Sequence, residues 1–265
     1  MSLPKTSLSN PPAYVEGHNL LKGKRVIITA AAGTGIGYAA AKRCAEEGAT
    51  ILISDIHEGR LADAAGRIQS ALGVTVETCL CNVTSQADVD RLFAFAVETI
   101  GIPDVVINNA GLGGTADLIE MTDDQWQIVL DVTLNGTFRM TRAAMQVMQG
   151  NGGVVVNNAS VLGWRAQKGQ AHYAAAKAGV MALTRCAGLE GAELGIRVNA
   201  VAPSLAMHPF LAKVTTEELL TELTSKEAYG RAAEVWEVAN VMVFLASGYS
   251  RYMTGETISV SSQRG

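Results

Sequence analysis

The chain has 265 residues, 48% of them hydrophobic and 17% charged, with a formal net charge of −4. That is apolar material for one large core, and the lack of like-charge runs argues against a nucleic-acid or membrane-surface role. No stretch reaches membrane-spanning length without a Gly, Asn or charge break, and residues 1–22 hold no secretory apolar region.

Residues 1–12 are rich in Ser, Pro and Asn, and 1–20 read as a flexible arm. Beyond them, β-branched runs alternate with helical periodicity. Residues 25–30 (RVIITA) form a first strand, and 38–48 a helix stopped by Gly48. Strand 49–55 (ATILISD), helix 59–72 closed by Gly73, strand 74–81, helix 86–100 and strand 104–108 (DVVIN) follow. Next come one long helical region over 123–149, strand 153–158, helix 173–194 and strand 197–201. A helix-rich segment over 215–246 and a strand at 256–260 end the chain.

Repeated strand–helix–strand units predict an α/β fold. It should be a Rossmann-type, doubly wound parallel sheet of about seven strands with helices on both faces. Residues 21–265 read as a single domain, with ligands expected at the carboxyl ends of the strands. Cys44, Cys79, Cys81 and Cys186 are expected as free thiols of a cytoplasmic protein. Cys79 and Cys81 share a strand face but lack a second pair, and His18, His57, His172 and His208 share no ligand spacing, so no metal is expected.

Three groups of residues carry chemistry. Gly33-Thr34-Gly35-Ile36-Gly37 joins the first strand to the first helix. Glycines there let backbone N–H groups approach a pyrophosphate at the helix N-terminus. Asp55 ends the second strand about 20 residues on, where an acid binds adenosine ribose hydroxyls and repels a 2′-phosphate. Neither Thr34 nor Ile56 is basic, which favours NAD over NADP; Arg60 is the nearest opposing charge.

The third group is Tyr173 and Lys177 with Ser160. Spacing i, i+4 places Tyr173 and Lys177 on one helix face. An ammonium there stabilises phenolate, and a tyrosine so tuned exchanges a proton with an alcohol or alkoxide. Ser160, at the end of the fifth strand, is placed to hold the reacting oxygen. A lone Tyr-x-x-x-Lys recurs by chance on helix surfaces; the combination is what is informative.

With these motifs, Asn108-Asn109-Ala110-Gly111, Val198 to Pro203 and Thr254-Gly255-Glu256, the chain resembles the short-chain dehydrogenase/reductase superfamily over about 21–259. The resemblance implies that Tyr173 is the general acid/base and that Lys177 holds the nicotinamide ribose. It implies that Asn108, Ala110 and Gly111 line the cofactor groove, with Pro203 and Ser204 beyond. It places Asn82 and Val83 against the adenine, the Asn82 amide oxygen accepting where the family has Asp. The departures are Ala31 at a glycine position of a loop one residue longer, Thr133 where the family has a catalytic Asn, and Ser204 after Pro203. Since Asn135 faces about 200° away on a helix, a proton relay there must use Thr133, its backbone carbonyl and water, or not run that way.

The stretches from Thr29 to Gly35 and from Asn158 to Gln167, with 173–186, resemble actinobacterial dehydrogenases of steroid-ring breakdown. These imply a bulky hydroxy acid or its coenzyme A thioester as substrate. Trp164, Leu205, Met207 and Phe210 offer an apolar pocket under a covering segment at 204–229. Arg165, Lys168 and Lys213 stand at its rim as candidates for a coenzyme A phosphate. Members of the superfamily are usually tetramers. The competing readings are a 3-oxoacyl-thioester reductase and a non-catalytic NAD-binding sensor or scaffold.

Overall fold

The computed structural model describes residues 7–208 and 216–263. Its strands are β1 (Arg25–Thr29), β2 (Thr50–Asp55), β3 (Val76–Leu80), β4 (Val105–Asn108), β5 (Gly153–Asn158), β6 (Ile196–Pro203), β7 (Ala206–Met207), β8 (Ala233–Glu234) and β9 (Thr257–Val260). Its helices are α1 (Ile36–Glu46), α2 (Glu58–Leu72), α3 (Gln86–Thr99), α4 (Asp123–Leu130), α5 (Gly136–Met148), α6 (Ala171–Glu193), α7 (Glu217–Ser225) and α8 (Val235–Ala246).

Seven strands pair in parallel, as the sequence predicted, and their order is β3-β2-β1-β4-β5-β6-β9. The inner strands are β-branched runs buried on both faces, which only a helix-covered parallel sheet provides. Their alternation divides the core. Val26, Ile28, Ile51 and Ile53 pack beneath α1, α2 and α8. Ile27, Leu52, Val106, Val155 and Val198 pack against α3 and α5. The strand order reverses between β1 and β4, so a cleft opens at their carboxyl ends.

Three boundaries differ from the sequence expectation in ways that matter. The long helical region expected over 123–149 carries a π-helical turn at Asp131–Asn135. Hydrophobic periodicity is blind to it, because a π-turn adds one residue without interrupting the helix. Helix α1 starts at Ile36, directly behind Gly35, two residues earlier than expected. The segment 215–246 contains a strand, β8, which pairs with β7 beside the cleft.

Residues 14–20, assigned from sequence to the arm, lie against α1 and α8. The Tyr14 ring meets Trp236 edge-on at 5.2 Å, and its hydroxyl donates to Glu46 at 2.6 Å. The amides of His18 and Leu20 donate to the Glu47 carboxylate, which is buried with Arg43.

Candidate active site

Thr29 ends β1 and is buried, and its Oγ1 accepts from the amides of Asn109 at 3.0 Å and Ala110 at 3.1 Å. One hydroxyl thus ties the end of β4 to the start of the glycine loop. The loop turns at Ala30, whose φ of +51° is left-handed. The strained residue is therefore Ala30, not Ala31. Ala31 is buried and donates its amide to the Ser54 carbonyl. Gly33, at φ +101°, takes up the additional residue, and the Arg67 guanidinium holds its carbonyl from α2. Gly37 must lack a side chain, since a Cβ would lie 2.2 Å from the Ala30 oxygen.

Asp55 reaches back to this loop: its Oδ2 accepts from Ala32 N at 3.2 Å and its Oδ1 from His57 N at 3.1 Å. Burial pushes its carboxyl above the usual range, against the pull of the Ala32 and Ile56 amides and of Arg60. The helix behind the loop has no side-chain cap, and a Cβ at Gly33 or Gly35 would meet nothing within 4 Å. Open space in front of an uncapped helix N-terminus, with a carboxylate at the neighbouring strand end, fits a dinucleotide pyrophosphate and ribose. Thr34 and Ile36 flank the opening, half-buried.

Two expected cofactor contacts are placed differently. Asn108 is turned into the fold rather than the groove. Its Nδ2 donates to Asn157 at 2.9 Å and to Thr141 at 3.1 Å, and Asn157 donates on to Thr184. This buried amide ladder pins β4 to β5 and to their helices beneath the cleft. Asn82 Oδ1 accepts from both Thr84 N at 3.0 Å and Thr84 Oγ1 at 2.9 Å, so both lone pairs serve a local turn and none is left for an adenine amino group. Val83 is buried against Gly136 instead. Asn109, which the sequence reading quoted without a role, takes the position expected of Asn108. It donates to Ala30 O at 3.1 Å and accepts from Asn158 Nδ2 at 2.9 Å. Two adjacent asparagines at a strand end were the available signal.

The expected triad converges at the carboxyl ends of β4 and β5. Ser160 follows β5 and is nearly buried, its Oγ accepting from Leu162 N at 3.2 Å. Tyr173 and Lys177 come from the first two turns of α6, with Lys177 Nζ 5.5 Å from the Tyr173 ring centre. Lys177 is buried and donates to the Asn158 carbonyl. Gly111 stands over the amine, where a Cβ would sit 3.3 Å from Nζ. Burial lowers the Lys177 amine to about 7. Burial also raises the Tyr173 phenol, while a hydrogen bond with the Ser160 side chain opposes that rise. The sequence reading had the ammonium lowering the phenol. In the structure burial sets the direction, and the phenol is raised.

Thr133 lies in the π-turn, fully buried. Its Oγ1 accepts from Leu112 N at 2.9 Å and donates to Leu112 O at 3.1 Å, while its carbonyl accepts from Thr137 at 2.7 Å. The hydroxyl has no proton left for a relay, so the catalytic part expected of Thr133 becomes a holding one. Asn135 bonds Asp131 instead, away from the site.

At the rim, Trp164 is 52% exposed, and Leu205 and Met207 are half-buried on either side of the buried Ala206. Pro203 pairs with Val260, whose carbonyl accepts from Ser204 N. Arg165 bonds Gln263 at 2.7 Å, and Lys168 pairs with Asp117 at 3.2 Å. Phe210 and Lys213 lie outside the described residues. A groove of about 340 Å³ between α5 and α6, lined by Phe138, Met145, Leu183 and Ala187, is a separate feature of the outer face.

A doubly wound sheet, a glycine loop and a Ser–Tyr–Lys cluster at the strand ends define a nicotinamide-dependent oxidoreductase acting on alcohol or ketone carbon. The chain belongs to the short-chain dehydrogenase/reductase family. It matches a profile of that family described as enoyl-(acyl carrier protein) reductase over residues 30–262. It is 57% identical over 260 residues to the (5R,7aS)-5-hydroxy-7a-methyl-1-oxo-2,3,5,6,7,7a-hexahydro-1H-indene-carboxyl-CoA reductase of Mycobacterium tuberculosis, covering 97% of this chain and 99% of that protein. It is 37% identical over 241 residues to a 3-oxoacyl-(acyl-carrier-protein) reductase of Thermotoga maritima, covering 91% and 97%. The crystal structure of a short chain dehydrogenase from Mycobacterium smegmatis superposes with a TM-score of 0.87 at 53% identity, covering 98% of this chain and 100% of that one.

Proposed function

We propose that this enzyme uses NAD to interconvert a secondary alcohol and a ketone on a bicyclic, steroid-derived hydroxy acid carried as its coenzyme A thioester. The observation that carries the reaction is the gathering of Ser160, Tyr173 and Lys177 in one cleft beside an open glycine loop. The 57% identity to an indene-carboxyl-CoA reductase supports the substrate class. The exposed Trp164 with half-buried Leu205 and Met207 gives a bicyclic hydrocarbon an apolar wall.

In the oxidative direction Ser160 and Tyr173 hold the substrate hydroxyl, and Tyr173 takes its proton. Lys177 stands behind the phenol and holds the ribose of the cofactor. Bound in this groove, a nicotinamide would supply the group that takes the hydride from the same carbon. Ala110 and Gly111 form the groove floor, and the Asp55 carboxylate takes the adenosine ribose hydroxyls while repelling a 2′-phosphate. A homotetramer is proposed through the α5–α6 groove and β9. A cytoplasmic location is proposed from the free cysteines; among the described residues no helix is long and apolar enough to cross a membrane.

The test is NADH and NADPH binding, followed by turnover on the indene-carboxyl-CoA thioester and on acetoacetyl-CoA. NAD-linked turnover of the bicyclic thioester is expected. NADPH-dependent reduction of acetoacetyl-CoA alone would make the enzyme a 3-oxoacyl reductase, the reading the Thermotoga relative favours. Cofactor binding with no turnover of either would favour a sensor.

A further inference from the structure

We propose that His172 is a positioning residue for Tyr173, holding the first turn of α6 and bracing the phenol through the loop at 113–114. This rests on Tyr173 as the proton-transfer group.

Helix α6 starts without the usual cap. Gln170 occupies the N-cap and makes no capping bond; its amide donates instead to Thr115 Oγ1 at 3.1 Å. The first amides of a helix have no partner within it and need one from outside. For Tyr173 that partner is the preceding side chain: its N–H donates to His172 Nδ1 at 2.9 Å. The bond requires a neutral ring with its proton on Nε2. His172 is only 2% exposed, so the imidazole is built into the wall of the site rather than lying over it.

The other side of the ring faces the β4–α4 loop. A Cβ at Gly114 would lie 3.3 Å from His172 Nε2, and one at Gly113 would lie 3.8 Å from Tyr173 Cδ2. Gly114 therefore lets the backbone lie close against the imidazole, and Gly113 carries the same stretch alongside the Tyr173 ring. That stretch is moored just beyond, where Ala116 N donates to Gly169 O at 3.1 Å. The imidazole thus links the Tyr173 backbone to the loop that flanks its ring. Small errors in placing a proton-transfer group cost rate rather than cofactor affinity.

Three substitutions separate this from simple packing. Asn carries Oδ1 on Cγ, where His carries Nδ1, so His172→Asn keeps the acceptor. His172→Gln places its amide near the Nε2 position, and His172→Ala removes both. Each is assayed with whichever of the two thioesters turns over, alongside NADH affinity by fluorescence. The Ala and Gln variants should lose about ten- to a hundredfold in kcat with NADH affinity unchanged, and the Asn variant, which keeps the acceptor and loses the ring face toward Gly114, should recover most of that loss. Full kcat in the Ala or Gln variant, an Asn variant as impaired as Ala, or NADH affinity falling in step with kcat overturns the role. Tyr173→Phe run beside them separates the two claims. Turnover retained there overturns the assignment of Tyr173 and any positioning of it by His172. Loss there with full activity in His172→Ala overturns the positioning alone.

Discussion

Thr133 Oγ1 holds both backbone groups of Leu112, accepting from its amide at 2.9 Å and donating to its carbonyl at 3.1 Å. Leu112 directly follows Gly111, which packs over Lys177, so the clamp sets the height of the cofactor groove above the catalytic lysine. Thr133→Val removes the hydroxyl and keeps the volume. We expect about 1 kcal/mol lost from the unliganded protein and a severalfold rise in KM for NAD, with kcat little changed. Melting curves and steady-state kinetics decide it. A fall in kcat at unchanged KM would return Thr133 to the chemistry.

Tyr173→Phe should abolish turnover, by about a hundredfold or more, while NADH still binds. In the proposed reading the phenol meets the substrate oxygen, and the helix around it needs only the ring. Near-normal activity in this variant would remove Tyr173 from the mechanism.

Lys177 makes a stability prediction whose sign is opposite to that of a lysine gaining a partner. Burial lowers its amine from 10.5 to about 7. Between those values the unfolded chain holds a proton that the folded chain does not. Stability therefore rises with pH across that window, and at neutral pH the buried amine is a cost. Lys177→Met should raise the stability of the unliganded protein by a few kcal/mol, about 3, at pH 7 and by less at pH 9, while ending catalysis. A gain that is equal at the two values would show that the amine is solvated.

The strands were legible because each is a β-branched run too short for a helix, and Asp55, Ser160 and Tyr173–Lys177 stood out by their offsets from those runs. Hidden from the sequence was everything set by a dihedral or by competition between partners. The left-handed turn at Ala30 rather than Ala31, the π-turn under Thr133 and the capture of Asn82 by Thr84 leave no periodic trace. Asn109 took the place expected of Asn108 for a related reason: neighbouring residues at a strand end point to opposite faces, and a one-residue shift moves a side chain from groove to core.

Asp55 carries two duties that substitution can part. In the proposed reading its charge opposes a 2′-phosphate, and in the structure its Oδ2 accepts from Ala32 N in the glycine loop. Asp55→Asn keeps an acceptor and loses the charge, so discrimination against NADP should shrink while the loop stays formed. Asp55→Ala loses both and should weaken either cofactor. Because burial raises the Asp55 carboxyl, KM for NAD should climb as the pH falls toward that raised value, and the climb should be missing from Asp55→Asn. An Asn variant with wild-type cofactor preference at all pH values would mean that another group reads the ribose.

Ala30 is the sharpest test of the loop itself. Its φ of +51° costs an L-residue about 1–2 kcal/mol, and glycine would take the same turn without a Cβ. Glycine also makes the unfolded chain more mobile, which returns about 0.5–1 kcal/mol of that. The turn cannot relax in the wild type, because Asn109 holds the Ala30 carbonyl at 3.1 Å and Gly37 packs against it. Ala30→Gly should therefore stabilise the protein by about 0.5–1 kcal/mol, a rise of about 2 °C in Tm for a chain of this size, with KM for NAD unchanged or lower. A lower Tm would mean that the Ala30 methyl packs well enough to outweigh the strain, and the additional loop residue would then have to be absorbed at Gly33 alone.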